Sequence, residues 1–304
     1  MKKIIALLGL LLLVPAAVFA GDETTTAPAY ATRSFNVRNF TQIDISGIVD
    51  LTVEKSDRFS VEVTLPESVE KYLVVKVSDG CLKIGVDNIP ASVTRRLKDW
   101  TLTARVTMPL LHGLEMSGAT RFHCDDTFDL GGKDFELEMS GASRASNLLL
   151  RNVRELEIEM GGATSLSLQG DCTVAEIDMS GASRAAFELD AGKLMLDCSG
   201  ASKPRLKGVY GEVFAEASGA SEPTLSGSAK TLFAEVSGAS KLRARELPVP
   251  EVRLIASGAA KCEVAAQRKL SAEASGGSDV RYLSSPGLET ILNIGRGASL
   301  SVLR

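Results

Sequence analysis

The chain has 304 residues, a hydrophobic fraction of 44% and a formal charge of -4, which excludes wholesale disorder, because disordered chains pair low hydrophobicity with high net charge. It carries 27 glycines, a single tryptophan and 5% aromatics, which argues against a core built on large rings. The acidic balance leaves no electrostatic footprint for nucleic acid.

The N-terminus reads as an address. Lys2 and Lys3 precede an apolar run from Ile4 to Val14, Pro15 breaks it, and Val18-Phe19-Ala20 supplies small residues for a peptidase. This is the pattern of a secretory signal peptide over residues 1–20, with cleavage expected after Ala20. The run is shorter than the ~20 residues of a spanning helix. No later segment is apolar enough to cross a bilayer, so a membrane is expected only as a neighbour. Cleavage removes two of the 34 basic residues against 38 acidic ones, leaving a net of about -6. The exported chain is expected in the periplasm, at the outer membrane or on the cell surface.

Residues 21–34 are rich in Thr, Ala and Pro and are expected to be disordered. From residue 35 to 111 alternating runs mark strands: Ile43 to Ile45, Val49 to Val53, Val61 to Val63, Leu73 to Val77, Leu82 to Ile84 and Leu102 to Val106. Asp79-Gly80 between two such runs predicts a hairpin turn, and Pro66 to Tyr72 a short helical turn. This part reads as irregular rungs or a small antiparallel cap, continuous with residues 112–304, since an open strand edge invites aggregation.

Residues 112–304 repeat. Ser-Gly-Ala or a near variant begins at residues 117, 140, 161, 180, 199, 218, 237, 257 and 275, at intervals of 23, 21, 19, 19, 19, 19, 20 and 18. Counting the first motif residue as position 0, positions −3 and −1 are apolar throughout, and position −2 is acidic in eight of nine copies. Apolar, charged, apolar is the alternation of a strand with one buried face. Position +1 is Gly118, Gly141, Gly162, Gly181, Gly200, Gly219, Gly238, Gly258 and Gly276, read as bends where a Cβ would obstruct the backbone. Position +3 is Ser or Thr except at Ala260 and reads as a hydroxyl ladder or a partner for the bend backbone. Position +4 is basic in six copies: Arg121, Arg144, Arg184, Lys203, Lys241 and Lys261. Each repeat therefore predicts strand, Gly bend, strand and return. Nineteen residues leave no room for a helix, so the expected fold is all-β: a solenoid of parallel rungs spaced by ~4.8 Å, whose equivalent residues stack in columns. In so narrow an interior large aromatics are expected to fit poorly.

The Met-Ser-Gly-Ala-Ser phrases, the upstream Asn39-Phe40-Thr41-Gln42-Ile43 and the leader resemble the bacterial putative auto-transporter adhesin, head GIN-domain family. The resemblance implies a right-handed parallel β-helix and an envelope location. It brings no catalytic residues. No translocator barrel with an aromatic girdle follows the repeats, so self-export is not implied.

The chemistry of the columns allows few roles. The acidic column reads as a solvated face, with calcium the cation it would take. A catalytic cluster is disfavoured because an acid recurs rung after rung, in eight of nine copies, whereas an active site breaks a repeat locally. The methionines at −1 point inward as core. Ser-Gly motifs do not make a nucleophile elbow, which needs G-x-S-x-G with a His partner. Cys81, Cys124, Cys172, Cys198 and Cys262 are odd in number and free of metal-ligand spacing with His112 or His123, and read as small buried apolar residues. The expectation is a non-enzymatic, adhesin-like scaffold without a cofactor. The basic column is its candidate face for a glycan or cell-surface ligand. A polysaccharide lyase or hydrolase on the same fold, and a self-assembling envelope element, are the alternatives.

Overall fold

The computed structural model describes residues 28–95, 97 and 100–303. The leader over 1–20, its cleavage at Ala20 and residues 21–27 lie outside the described residues. The disorder expected as far as residue 34 is corrected, because Tyr30–Phe35 forms strand β1. It pairs antiparallel with β4 (Ser60–Pro66), placing Ala31 opposite Leu65 and Arg33 opposite Val63. A strand forms here because β4 offers an edge whose N–H and C=O groups need partners.

The other early strands are β2 (Gln42–Gly47), β3 (Val49–Lys55), β5 (Leu73–Ser78), β6 (Cys81–Val86), β7 (Leu102–Met108), β8 (Gly113–Gly118) and β9 (Arg121–His123). The hairpin at Asp79-Gly80 is present, with φ of 53° and 78° as a primed turn needs. A 3₁₀ turn covers Glu67–Tyr72. The spatial order of these rungs is not their chain order. β2 lies between β6 and β8, and β3 between β7 and β9, all in parallel. The first rung in the chain is therefore second in space, and the chain steps back beneath it before climbing. On the far side β5 runs antiparallel to β6, and β4 to β7. These antiparallel strands close this end of the stack.

Above them run β10 (Thr127–Asp129), β11 (Phe135–Met139), β12 (Arg144–Met160), β13 (Ser165–Met179), β14 (Arg184–Cys198), β15 (Lys203–Ala217), β16 (Thr224–Val236), β17 (Lys241–Ala256), β18 (Lys261–Ala274), β19 (Asp279–Leu283), β20 (Glu289–Ile294) and β21 (Ser299–Leu303). Successive long strands pair in parallel, in the register the repeat predicts, and the stacked coils make a β-solenoid of about 10 turns. Each long strand starts after one Gly bend and ends before the next, turning a second corner midway. In β13, Leu166 and Leu168 point inward, the pattern breaks over Gln169 to Thr173, and Ala175, Ile177 and Met179 point inward again.

The core is the stack of columns. Met116, Met139, Met160 and Met179 are buried at position −1, followed by Cys198, Ala217, Val236, Ala256 and Ala274. The expectation about aromatics is corrected: Phe122, Phe128, Phe135, Phe187, Tyr210 and Tyr282 are buried. Three of these lie in the 23-residue repeat that opens the series, where a longer coil leaves room for rings. The hydroxyls at +3 are also buried. Ser143, Ser240 and Ser278 donate back to the carbonyl of position 0 in their own bend, at 2.9, 2.7 and 2.8 Å. Rung spacing is too wide for one +3 hydroxyl to reach the next, but Ser221 donates across rungs to the Cys198 carbonyl at 3.2 Å.

Candidate functional site

The Gly bend sets the geometry of the surface. Gly181 has φ of +66°, and a Cβ there would stand 2.5 Å from the carbonyl oxygen of Gly162 one rung below. The bends stack so closely because Ala182 N–H donates to that same oxygen at 2.7 Å. Residues before the bend share one sheet face and residues after it share another, so each motif position projects as a straight column.

The face before the bend is acidic. Glu115, Glu138, Glu159, Asp178 and Asp197 line a groove of about 580 Å³ with Ser140, Ser180 and Ser199 on its rim. A second acidic column, Glu136, Glu157 and Glu176, stands beside it at position −4. Like charges one rung apart repel by roughly 1 kcal/mol in water. The carboxyls respond: Glu138, Glu157 and Asp178 are raised above the ordinary carboxylate range, first by partial burial and then by their acidic neighbours. Among the described residues no three His, Cys, Asp or Glu side chains converge to hold a metal ion. Further along, the −4 column changes to Met195, Phe214, Phe233 and Arg253. The two rings lie 6.2 Å apart, with Lys193 over one and Arg253 over the other.

The face after the bend is basic, but not as a simple column. Arg121 pairs with Asp50 at 3.2 Å, a contact spanning 71 residues of chain. Arg144 and Arg184 are separated by Ser165. Lys203 and Lys241 flank Glu222, the acid at +4 in its own repeat, at 3.6 and 3.1 Å, and Arg243 joins them at 3.4 Å. Glu222 is only 20% exposed. Its carboxyl is held below the ordinary range by the Lys241 hydrogen bond and, further, by the charges of Lys203, Lys241 and Arg243. Lys261 makes no ion pair among the described residues. It borders a depression of about 200 Å³ with Lys241, Arg243, Glu263, Asp279 and Arg281.

Sequence reasoning limited to position +4 missed half of this face. Arg205, Arg243 and Arg281 at +6, with Lys207 and Arg245 at +8, are exposed beside it. The period-two alternation used for the acidic face was the signal that finds them. Basic side chains therefore concentrate from residue 203 to 281, away from Arg121.

Two constellations bear on catalysis. His123 Nδ1 lies 3.2 Å from Ser146 Oγ, and its Nε2 lies 3.1 Å from Asp125. The structure thus gives a serine a His neighbour that the sequence did not reveal. Ser146 itself donates to the Phe122 carbonyl at 3.2 Å, so the trio is a hydrogen-bonded surface cluster outside the acidic groove and the basic depression. The cysteines are all free thiols; Cys124, Cys198 and Cys262 are buried, whereas Cys81 and Cys172, expected to be buried too, are only partly so. Burial pushes Cys124 up to about 11 and Cys172, Cys198 and Cys262 up to about 12, which leaves them protonated and unreactive at neutral pH.

A family model described as putative auto-transporter adhesin, head GIN domain, matches residues 39–208 and 187–286. The fold is similar to that of a putative adhesin from Parabacteroides distasonis, with a TM-score of 0.52 at 18% identity over 90% of this chain and 97% of that one. It is also similar to a putative adhesin from Parabacteroides merdae, with a TM-score of 0.51 at 15% identity over 90% of this chain and 96% of that one. At these identities the likeness is one of fold. The comparison with curated proteins gives no match.

Proposed function

The chain belongs to the putative auto-transporter adhesin, head GIN-domain family, and from that premise we propose that it is a non-enzymatic envelope scaffold that binds a glycan or cell-surface ligand. One observation supports this most: the acidic column continues from rung to rung at a fixed spacing, through Glu138, Glu159, Asp178 and Asp197. A repeating surface of this kind matches a repeating ligand, whereas a reaction centre needs unlike groups at one point. No helix among the described residues is long and apolar enough to cross a membrane. Beads coated with the exported chain should adhere to cells, and the chain should bind members of a glycan array. Silence in both assays removes the proposal.

A second reading, self-assembly of solenoids, has one observation in its favour. Leu292, Ile294 and Val302 of β20 and β21 are 41%, 38% and 51% exposed, at positions that the preceding rungs bury. Light scattering against concentration tests it; a mass that stays monomeric counts against it.

A further inference from the structure

We infer that the basic face between Lys203 and Arg281 is the ligand face of the scaffold, and that its ligand is a linear polysaccharide carrying repeated carboxylates or sulfates. The inference rests on the proposed binding function and adds the face and the ligand chemistry.

Position and charge point there. Lys203, Lys241, Lys261 and Arg281 come from repeats spanning five rungs of one sheet, a strip about 20 Å long at the rung spacing. Over this strip the chain presents a local excess of positive charge on a molecule whose net charge is negative. Such separation creates a local field that captures a polyanion despite the overall sign. The cations are also gathered: Glu222 holds Lys203, Lys241 and Arg243 within 3.6 Å of one carboxylate. A carboxylate or sulfate of a ligand can take over the contacts Glu222 now makes. The depression bordered by Lys241, Arg243, Lys261 and Arg281 also holds Glu263 and Asp279, and Asp279 pairs with Arg281 at 2.8 Å, so Lys261, which makes no ion pair among the described residues, is the cation left open there to the next anionic group.

The face fits a polymer better than a membrane. Peripheral membrane binding couples basic residues to apolar side chains that enter the headgroup layer. Among the described residues, Leu283 is the one exposed large apolar side chain within the strip, and Val209 stands at its margin, two residues after Lys207.

The test is equilibrium binding of the exported chain to polygalacturonate, dextran sulfate, uncharged dextran, duplex DNA and phosphatidylglycerol vesicles, each at several salt concentrations. Polygalacturonate or dextran sulfate should bind with affinity that falls as salt rises; uncharged dextran, DNA and vesicles should bind at least tenfold more weakly. The double variant Lys241→Gln with Arg243→Gln should lose about tenfold, at a few-fold for each exposed charge contact. Glu222→Gln should gain two- to threefold, because it releases three cations. Glu235→Gln changes net charge equally on the acidic face before the bend and should do neither. Tm of each variant establishes that it is folded. The inference is overturned if the polyanions fail to bind, if the double variant binds as before, if Glu235→Gln matches Glu222→Gln, or if DNA or vesicles bind as tightly as the polysaccharides. If the polyanions fail while uncharged glycans on the array or cells still bind, the scaffold reading stands and only this assignment falls. If nothing binds, both fall.

Discussion

At the scale of single residues, the bend is specified twice over. Gly181 is required by its left-handed backbone and by the carbonyl that a Cβ would strike. Gly181→Ala should therefore cost about 3 kcal/mol, from backbone strain plus forced separation of two rungs, read by denaturant unfolding. The hydroxyls beside the bends are less uniform than their column suggests. Ser240 donates to the Ser237 carbonyl at 2.7 Å, whereas buried Thr164 finds no partner. A buried hydroxyl without a partner keeps its desolvation cost. Thr164→Val should then raise stability by about 1 kcal/mol, while Ser240→Ala should lower it by a similar amount. Equal effects at the two sites would show that the bend does not distinguish them.

At the scale of elements, two sets of carboxyls impose opposing pH dependences. Glu138, Glu157 and Asp178 hold their protons more tightly in the fold than in an unfolded chain. Their contribution is fully present below the ordinary carboxylate range and is lost as pH rises through their raised values. Glu222 and Asp134 behave in the opposite sense. Asp134 is held low chiefly by its hydrogen bonds from Arg154, and Glu222 by that from Lys241. Their contribution is present above the ordinary range and is lost as pH falls through their lowered values. Tm should thus rise as pH falls from neutral towards the ordinary carboxylate value of 4.5, and fall again at stronger acidity. Glu138→Gln should raise Tm at neutral pH and flatten the upper limb. A Tm that declines steadily from neutral pH downward would show that the acidic columns carry no net repulsion.

At the scale of the whole molecule, the stack behaves as a sum of rungs and neighbour contacts. Removing residues 199–217, a complete 19-residue repeat, joins two bends in register and should leave a folded, shorter solenoid by circular dichroism and small-angle scattering. Removing β1 should be worse although it is shorter, because it bares the edge of β4 and leaves an unpaired strand open to other chains. Light scattering should show aggregation of that variant alone. If the repeat deletion aggregates instead, the rungs are not interchangeable units.

The order of residues alone reveals the repeat, the bend glycines, the buried methionine column, the hairpin at Asp79-Gly80 and the acidic face. All of these depend on residues close in the chain, where alternation and backbone preference act directly. It also places the basic residues after the bend, but not which of them remain unpaired. The stacking of the rungs brings Arg121 to Asp50, gathers three cations around Glu222 and sets His123 against Ser146. Tertiary packing likewise sets the stacking of the first rungs out of chain order, β1 as a strand, and the rings that the longest repeat encloses. Each of these depends on which rung lies next to which. That neighbour relation is fixed by burying the core and pairing its edges over long stretches of chain, and it leaves no local mark on the sequence.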